Sequence, residues 1–185
     1  MDELSLYVLD ITMNSVRAGA TEIFVELFEA GEWLTFTVRD NGSGMTREQV
    51  ARLSDPFFTT RKTRKVGLGI PFLKMLAEMT GGKVAITSVH QSESEDHGTT
   101  TTATFGKNHI DFIPLGDMVE TVITLIQGSP EINFSYRHNT ERGEVWLSTA
   151  EMREILGDIP LNEPEILTWI GENLREQYAS IQKGK

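Results

Sequence analysis

Helical and strand periodicities alternate along this chain, two antiparallel hairpins each follow an amphipathic helix, and the character changes near Gly106. These observations predict an α+β protein: an α/β sandwich in which helices cover a sheet, followed by a smaller α+β segment. At 185 residues the chain holds one domain of ordinary size plus an appendage, with boundaries expected at 1–106 and 107–185.

Each element has its own signal. Leu4, Val8, Ile11, Ser15 and Ala18 recur at spacings of three and four, the inward stripe of a helix over 4–18 that Gly19 stops. An adjoining stripe carries Asp10, Asn14 and Arg17 at i, i+4 and i+7, three polar groups able to handle a metal or a phosphate, or else a solvated face. EIFVELF alternates as a strand, EAGE turns, and WLTFTVR returns with Leu34, Phe36 and Val38 on one side before ending at Asp40. TREQVARL is a short helix with Thr46 as N-cap, and SDPFFTTRKTRKVGLG is a long basic connection without clear periodicity. IPFLKMLAEM resumes a helix with Pro71 near its first turn, ended by Thr80, Gly81 and Gly82. KVAITSV and TTTTATF are strands flanking the hydrophilic QSESEDHG. Beyond Gly106 come a helix (DMVETVITLIQG), a hairpin (INFSYRH and EVWLST), a helix opened by the capping-box pair Ser148 and Glu151, and a last amphipathic helix from Pro164 to about Ile181. Buried core is the expected place of Trp146 and Trp169, and surface or turn positions are expected for all four histidines.

Composition narrows the function. A formal charge of -10 argues against general nucleic-acid binding, although Arg61, Lys62, Arg64 and Lys65 crowd one short loop. With no cysteine and four histidines lacking ligand-like spacing, neither a disulfide framework nor a metal site built by the protein alone is expected. No basic leader opens the chain and no apolar run approaches a bilayer's thickness, so a cytoplasmic location without membrane contact is the expectation. The last 80 residues carry 13 acidic and 7 basic side chains, a surface that suits a basic partner or solvation alone.

The most informative stretch is DNGSGM, Asp40 to Met45, followed some twenty residues later by VGLGI. A carboxylate at a strand end, near the core, is costly to bury unless donors satisfy it, and the exocyclic amine of adenine is such a donor. Gly42 and Gly44 would let the backbone pass close to a flat ring, although Asn-Gly is also a common hairpin turn. Gly67 and Gly69 expose backbone amides just before a helix starting near Ile70, where free donors and the helix dipole favour anionic oxygens.

Taken in order, DITMNS, DNGSGM, DPFFTTRKTRK, VGLGI and HGTTTT resemble the GHKL ATPase superfamily over residues 4–105. LDITMNSVRAGAT and VRDNGSGM look most like mismatch-repair ATPases, while DPFFTTR, GLGI and GGKVAITS look most like histidine kinase catalytic domains. The resemblance implies a Bergerat-type sandwich, a mixed or antiparallel sheet with helices on one face, that binds ATP or ADP with Mg²⁺. On that pattern Asn14 would coordinate Mg²⁺ bridging the phosphates, and Asp40 would accept the adenine amine. Arg17, Thr60, Arg61 and Lys65 would face phosphate, Gly67, Leu68 and Gly69 would form its cradle, and Thr99 or its neighbour Thr100 would lie near the base. Met45 and Ile70 would be apolar pocket wall or core.

The pattern also departs. Asp10 stands where the hydrolysing members have glutamate, and an arm one methylene shorter predicts weak turnover from a base that must come within hydrogen-bond reach of its proton. No histidine precedes Asp10 to serve as a phosphoacceptor. The expectation is therefore an Mg·ATP-binding switch, with at most slow hydrolysis, acting on a protein partner and open to homodimerisation. The alternatives are a serine/threonine kinase similar to the anti-sigma kinases, with Asp10 as base, and a nucleotide-free interaction module.

Overall fold

The computed structural model describes residues 3–53 and 69–183. In chain order its elements are α1 (Leu4–Arg17), β1 (Glu22–Ala30), β2 (Trp33–Asp40), α2 (Arg47–Ala51), α3 (Gly69–Met79), β3 (Lys83–Val89), β4 (Gly98–Gly106), α4 (Met118–Gly128), β5 (Asn133–Thr140), β6 (Gly143–Ser148), α5 (Thr149–Leu156) and α6 (Pro164–Lys183). The strands form one six-stranded sheet in the order β3-β4-β2-β1-β5-β6. Every neighbouring pair is antiparallel except β1 and β5, which run parallel, so the sheet is mixed.

Strand alternation decides where the core lies. Ile23, Val25 and Leu27 of β1 and Leu34, Phe36 and Val38 of β2 face the helices together with Ala103, Phe105, Phe134, Tyr136, Val145 and Leu147. Leu4, Val8 and Ile11 of α1, Leu73 and Ala77 of α3, Val122 and Ile126 of α4, and Ile170 and Leu174 of α6 meet them from the helical layer. Phe36 and Phe105 stack with ring centroids 6.1 Å apart at the centre, where truncating either to alanine would cost about 3–5 kcal/mol. The opposite face is polar: Thr35 pairs with Thr104 and Thr37 with Thr102 through their hydroxyls, and Arg137 lies over Phe24 and Trp146.

The hairpin of the downstream segment joins this same sheet, because β5 aligns with β1 from Glu22↔Asn133 to Phe28↔Asn139. The boundary expected at 106/107 therefore runs between two stretches of chain that share one sheet. Three side-chain expectations need correction, the first being Trp146, which lies half-buried on the polar face of β6 beneath Arg137 because Val145 and Leu147 take the core-facing parity. Trp169 is 51% exposed, since α6 turns Ile170 and Leu174 inward and leaves it on the outer stripe. His138 is 3% exposed, because it alternates with Phe134 and Tyr136 on the helix-facing side of β5.

Candidate functional site at the end of strand β2

Asp40 ends β2 on the parity of Leu34, Phe36 and Val38, so its side chain points toward the helical layer. Its Oδ1 accepts the amides of Gly42 at 2.8 Å and Thr99 at 3.2 Å, and its Oδ2 accepts the Ser15 hydroxyl at 2.5 Å. An ionised carboxylate offers about four acceptor directions. Three are taken, and the remaining one belongs to Oδ2.

Glycines make this turn possible, although their close approaches are to the chain itself. A Cβ on Gly42 would stand 2.8 Å from the Cβ of Ala18, and Ser43 donates to the Ala18 carbonyl at 2.9 Å, which docks the turn on the end of α1. Gly44 has φ +70, and a Cβ there would overlap the Val89 carbonyl at the end of β3. Asn41 fastens the other side, accepting the amides of Thr21 and Glu22 at 2.8 and 3.0 Å. Met45 donates its amide to Ser88 Oγ at 2.7 Å, and that oxygen lies 2.7 Å from Thr99 Oγ1, so one hydroxyl ties the turn to β3 and β4.

Helix α1 is the rail that carries the other predicted groups. Arg17 donates from Nη2 to Asn14 Oδ1 at 2.8 Å on the exposed stripe. Partial desolvation draws the Arg17 guanidinium below its ordinary range, and the Asp10 carboxylate pushes it back up. One turn earlier, Asp10 lies against the first residue of α3, where a Cβ on Gly69 would overlap Asp10 Oδ2. Ile70 is 9% exposed and packs into the core. Asp10, Asn14, Arg17, Asp40, Gly42, Met45, Gly69 and Thr99 are thus linked through α1 and the two strand ends. Thr100 is not: it pairs with Arg39 on β2, on the sheet face turned away from the helices. Thr60, Arg61, Lys62, Arg64, Lys65, Gly67 and Leu68 lie outside the described residues.

Sequence reasoning missed Ser15 and Ser88. Ser15 falls on the inward helical stripe, and its signal is a hydroxyl in line with Leu4, Val8 and Ile11, directly after Asn14. Ser88 carried no local signal.

The model for histidine kinase-, DNA gyrase B- and HSP90-like ATPases matches residues 2–109. Among curated relatives, the sensor histidine kinase ZraS of Escherichia coli O157:H7 is 29% identical over 90 residues, which is 48% of this chain and 19% of that protein. The chain thus spans about a fifth of that relative's length. Among solved structures, the N-terminal domain of a DNA repair protein aligns with a TM-score of 0.57 at 17% identity, covering 80% of this chain and 53% of that one. The Aquifex aeolicus MutL ATPase domain complexed with ADP aligns at 0.53 with 16% identity, covering 84% of this chain and 69% of that one, so the shared fold reaches beyond residue 109. The chain belongs to the histidine kinase-, DNA gyrase B- and HSP90-like, or GHKL, ATPase family, and its mixed sheet with a helical layer is the Bergerat fold. This is an ATP-binding family.

Proposed function

We propose that this chain is an Mg·ATP-binding switch with slow hydrolysis that acts on a protein partner. The observation that carries the reading is the incompletely satisfied carboxylate at Asp40: Oδ1 is full, Oδ2 keeps one acceptor direction, and the residue is only half-buried. An adenine amine donating to Oδ2 completes the set, and a purine lacking that donor does not. Asn14 would then supply one amide oxygen to Mg²⁺, with phosphate and water left to supply the rest. That economy suits a cation which keeps its waters and leans on substrate oxygens, and a chain in which no cluster of three histidines or carboxylates among the described residues could hold a metal. When bound, Mg²⁺ neutralises phosphate charge.

Arg17 donates to the Asn14 oxygen, so the two side chains stand together where Asn14 would hold the metal and the Arg17 guanidinium would face phosphate. Asp10, set against the start of α3, is the base available to the reacting end of the triphosphate. Nucleotide occupancy then biases the conformation presented to the partner, as an effector with different affinity for two states must.

Calorimetry with ATP and ADP, with and without magnesium, tests the reading. Binding of both, with a magnesium-dependent gain that Asn14→Ala removes, is the expected result. No heat with either nucleotide would overturn it, and phosphate transferred to an added protein rather than released would make the chain a kinase.

A further inference from the structure

Gly42 is also gripped by His97, the first residue of the HGTTTT stretch and one to which the sequence reading gave no role. His97 closes the β3–β4 connection, is half-buried, and its Nδ1 is hydrogen-bonded to the Gly42 carbonyl. A carbonyl can only accept, so the ring donates, and the proton on Nδ1 is fixed by its partner. The amide of the same glycine donates to Asp40 Oδ1 at 2.8 Å. His97 therefore pulls on one end of a residue whose other end aims the carboxylate.

The surroundings make that pull effective. Toward α1 the turn cannot slide, because Gly42 is already packed on Ala18 and Ser43 is bonded to the Ala18 carbonyl. Toward β4, Gly98 has φ +146 and a Cβ there would overlap the Asp40 carbonyl, so only a glycine lets the two strands close. The residues on either side of Gly98 then act on Asp40 together: Thr99 donates its amide to Oδ1 at 3.2 Å, and His97 works through Gly42.

We propose that His97 is a positioning residue for base recognition. By holding the Gly42 carbonyl it fixes the Gly42 donor on Asp40 Oδ1 beside that of Thr99, and so sets the free acceptor direction of Oδ2, which selects a purine bearing an exocyclic amine at the adenine position. The inference rests on the nucleotide reading above.

The test is the ratio of ATP to GTP affinity, titrated with magnesium in the parent chain, His97→Asn, His97→Asp and His97→Ala, with thermal melts to confirm folding. Asparagine and aspartate have the same shape, but only asparagine can donate to the carbonyl. The ratio is expected to survive in His97→Asn within about threefold, and to fall about tenfold in His97→Asp and His97→Ala. ATP and GTP weakening together, or a ratio unchanged in His97→Asp, would overturn the positioning role. A parent chain that binds neither nucleotide would instead overturn the nucleotide reading, and this inference with it.

Discussion

On the helix-covered side of the sheet, Asp40 and His138 each anchor a polar cluster, on opposite sides of β1 and with opposite hydrogen-bond accounting. The Asp40 cluster gathers Ser15, Gly42 and Thr99 and leaves one acceptor direction open. The His138 cluster leaves nothing open at the ring. Its Nε2 meets Glu29 Oε2 at 2.7 Å, its Nδ1 meets the Tyr178 hydroxyl at 2.7 Å, and that hydroxyl lies 2.5 Å from the Tyr136 hydroxyl. Lys107 closes the far side of Glu29 at 3.7 Å. Full satisfaction rigidifies a fold, whereas spare capacity beside solvent is what a ligand can use. The difference fits the proposed role of the first cluster in binding, while the second holds α6 on β5 and β1.

Substitution at His138 should give the largest effect and separate the two roles. His138→Leu removes the partner of Glu29 Oε2 and one of the two partners of the Tyr178 hydroxyl, and the expected loss is about 3 kcal/mol in a urea melt with ATP affinity unchanged. Affinity that collapses while the fold persists would erase the distinction between the clusters. Asp40→Asn is the mirror experiment. It places a donor where an acceptor is needed, and should weaken ATP by about 2 kcal/mol, on the order of thirtyfold, while the melt moves little. Tight ATP binding by this variant would remove Asp40 from the site.

The closed cluster also predicts a response to alkali. Burial, reinforced by the charges of Glu29 and Asp117, pushes the Tyr178 hydroxyl up to about 12, against an unfolded value near 10.0. A proton held more tightly in the folded state contributes stability that is complete below pH 10 and is lost as pH rises toward 12. Tyr178→Phe should flatten that decline by about 1–2 kcal/mol between the two limits, measured as the difference between parent and variant melts. Equal slopes would mean that Tyr178 ionises without penalty and that α6 is not sealed onto the sheet.

The two clusters were not equally legible in the sequence. Asp40 announced itself because its signal is local: a period-two strand ends on an acid and a glycine turn follows. The stripe of Asp10, Asn14 and Arg17 was equally local, as was the N-cap at Thr46, which the fold completes as a capping box with Gln49. His138 gives no sign of burial in the sequence because its partners lie far along the chain, Tyr178 by 40 residues and Glu29 by 109. Parallel pairing of β1 with β5 likewise leaves no local trace, since its register is set by packing across the intervening elements rather than by a turn. Thr99 could not be told from Thr100 until the register of β4 put them on opposite faces.

Ser15 offers the smallest effect and the finest cut, because it shares Asp40 Oδ2 with the direction left for the base. Two physical outcomes compete. As an orienting donor, the hydroxyl fixes the carboxylate plane, and its loss lets Asp40 rotate and admits water to Oδ2. As a competitor, it drains the acceptor strength of the same oxygen, and its loss would tighten the ligand. Orientation should win, since a carboxylate oxygen accepts two donors without exclusion and Ser15 is 3% exposed on the buried stripe of α1, where it cannot turn away. Ser15→Ala is therefore expected to weaken ATP about three- to tenfold, near 1 kcal/mol, by calorimetry. A gain in affinity would reverse the assignment and make Ser15 a brake on the site.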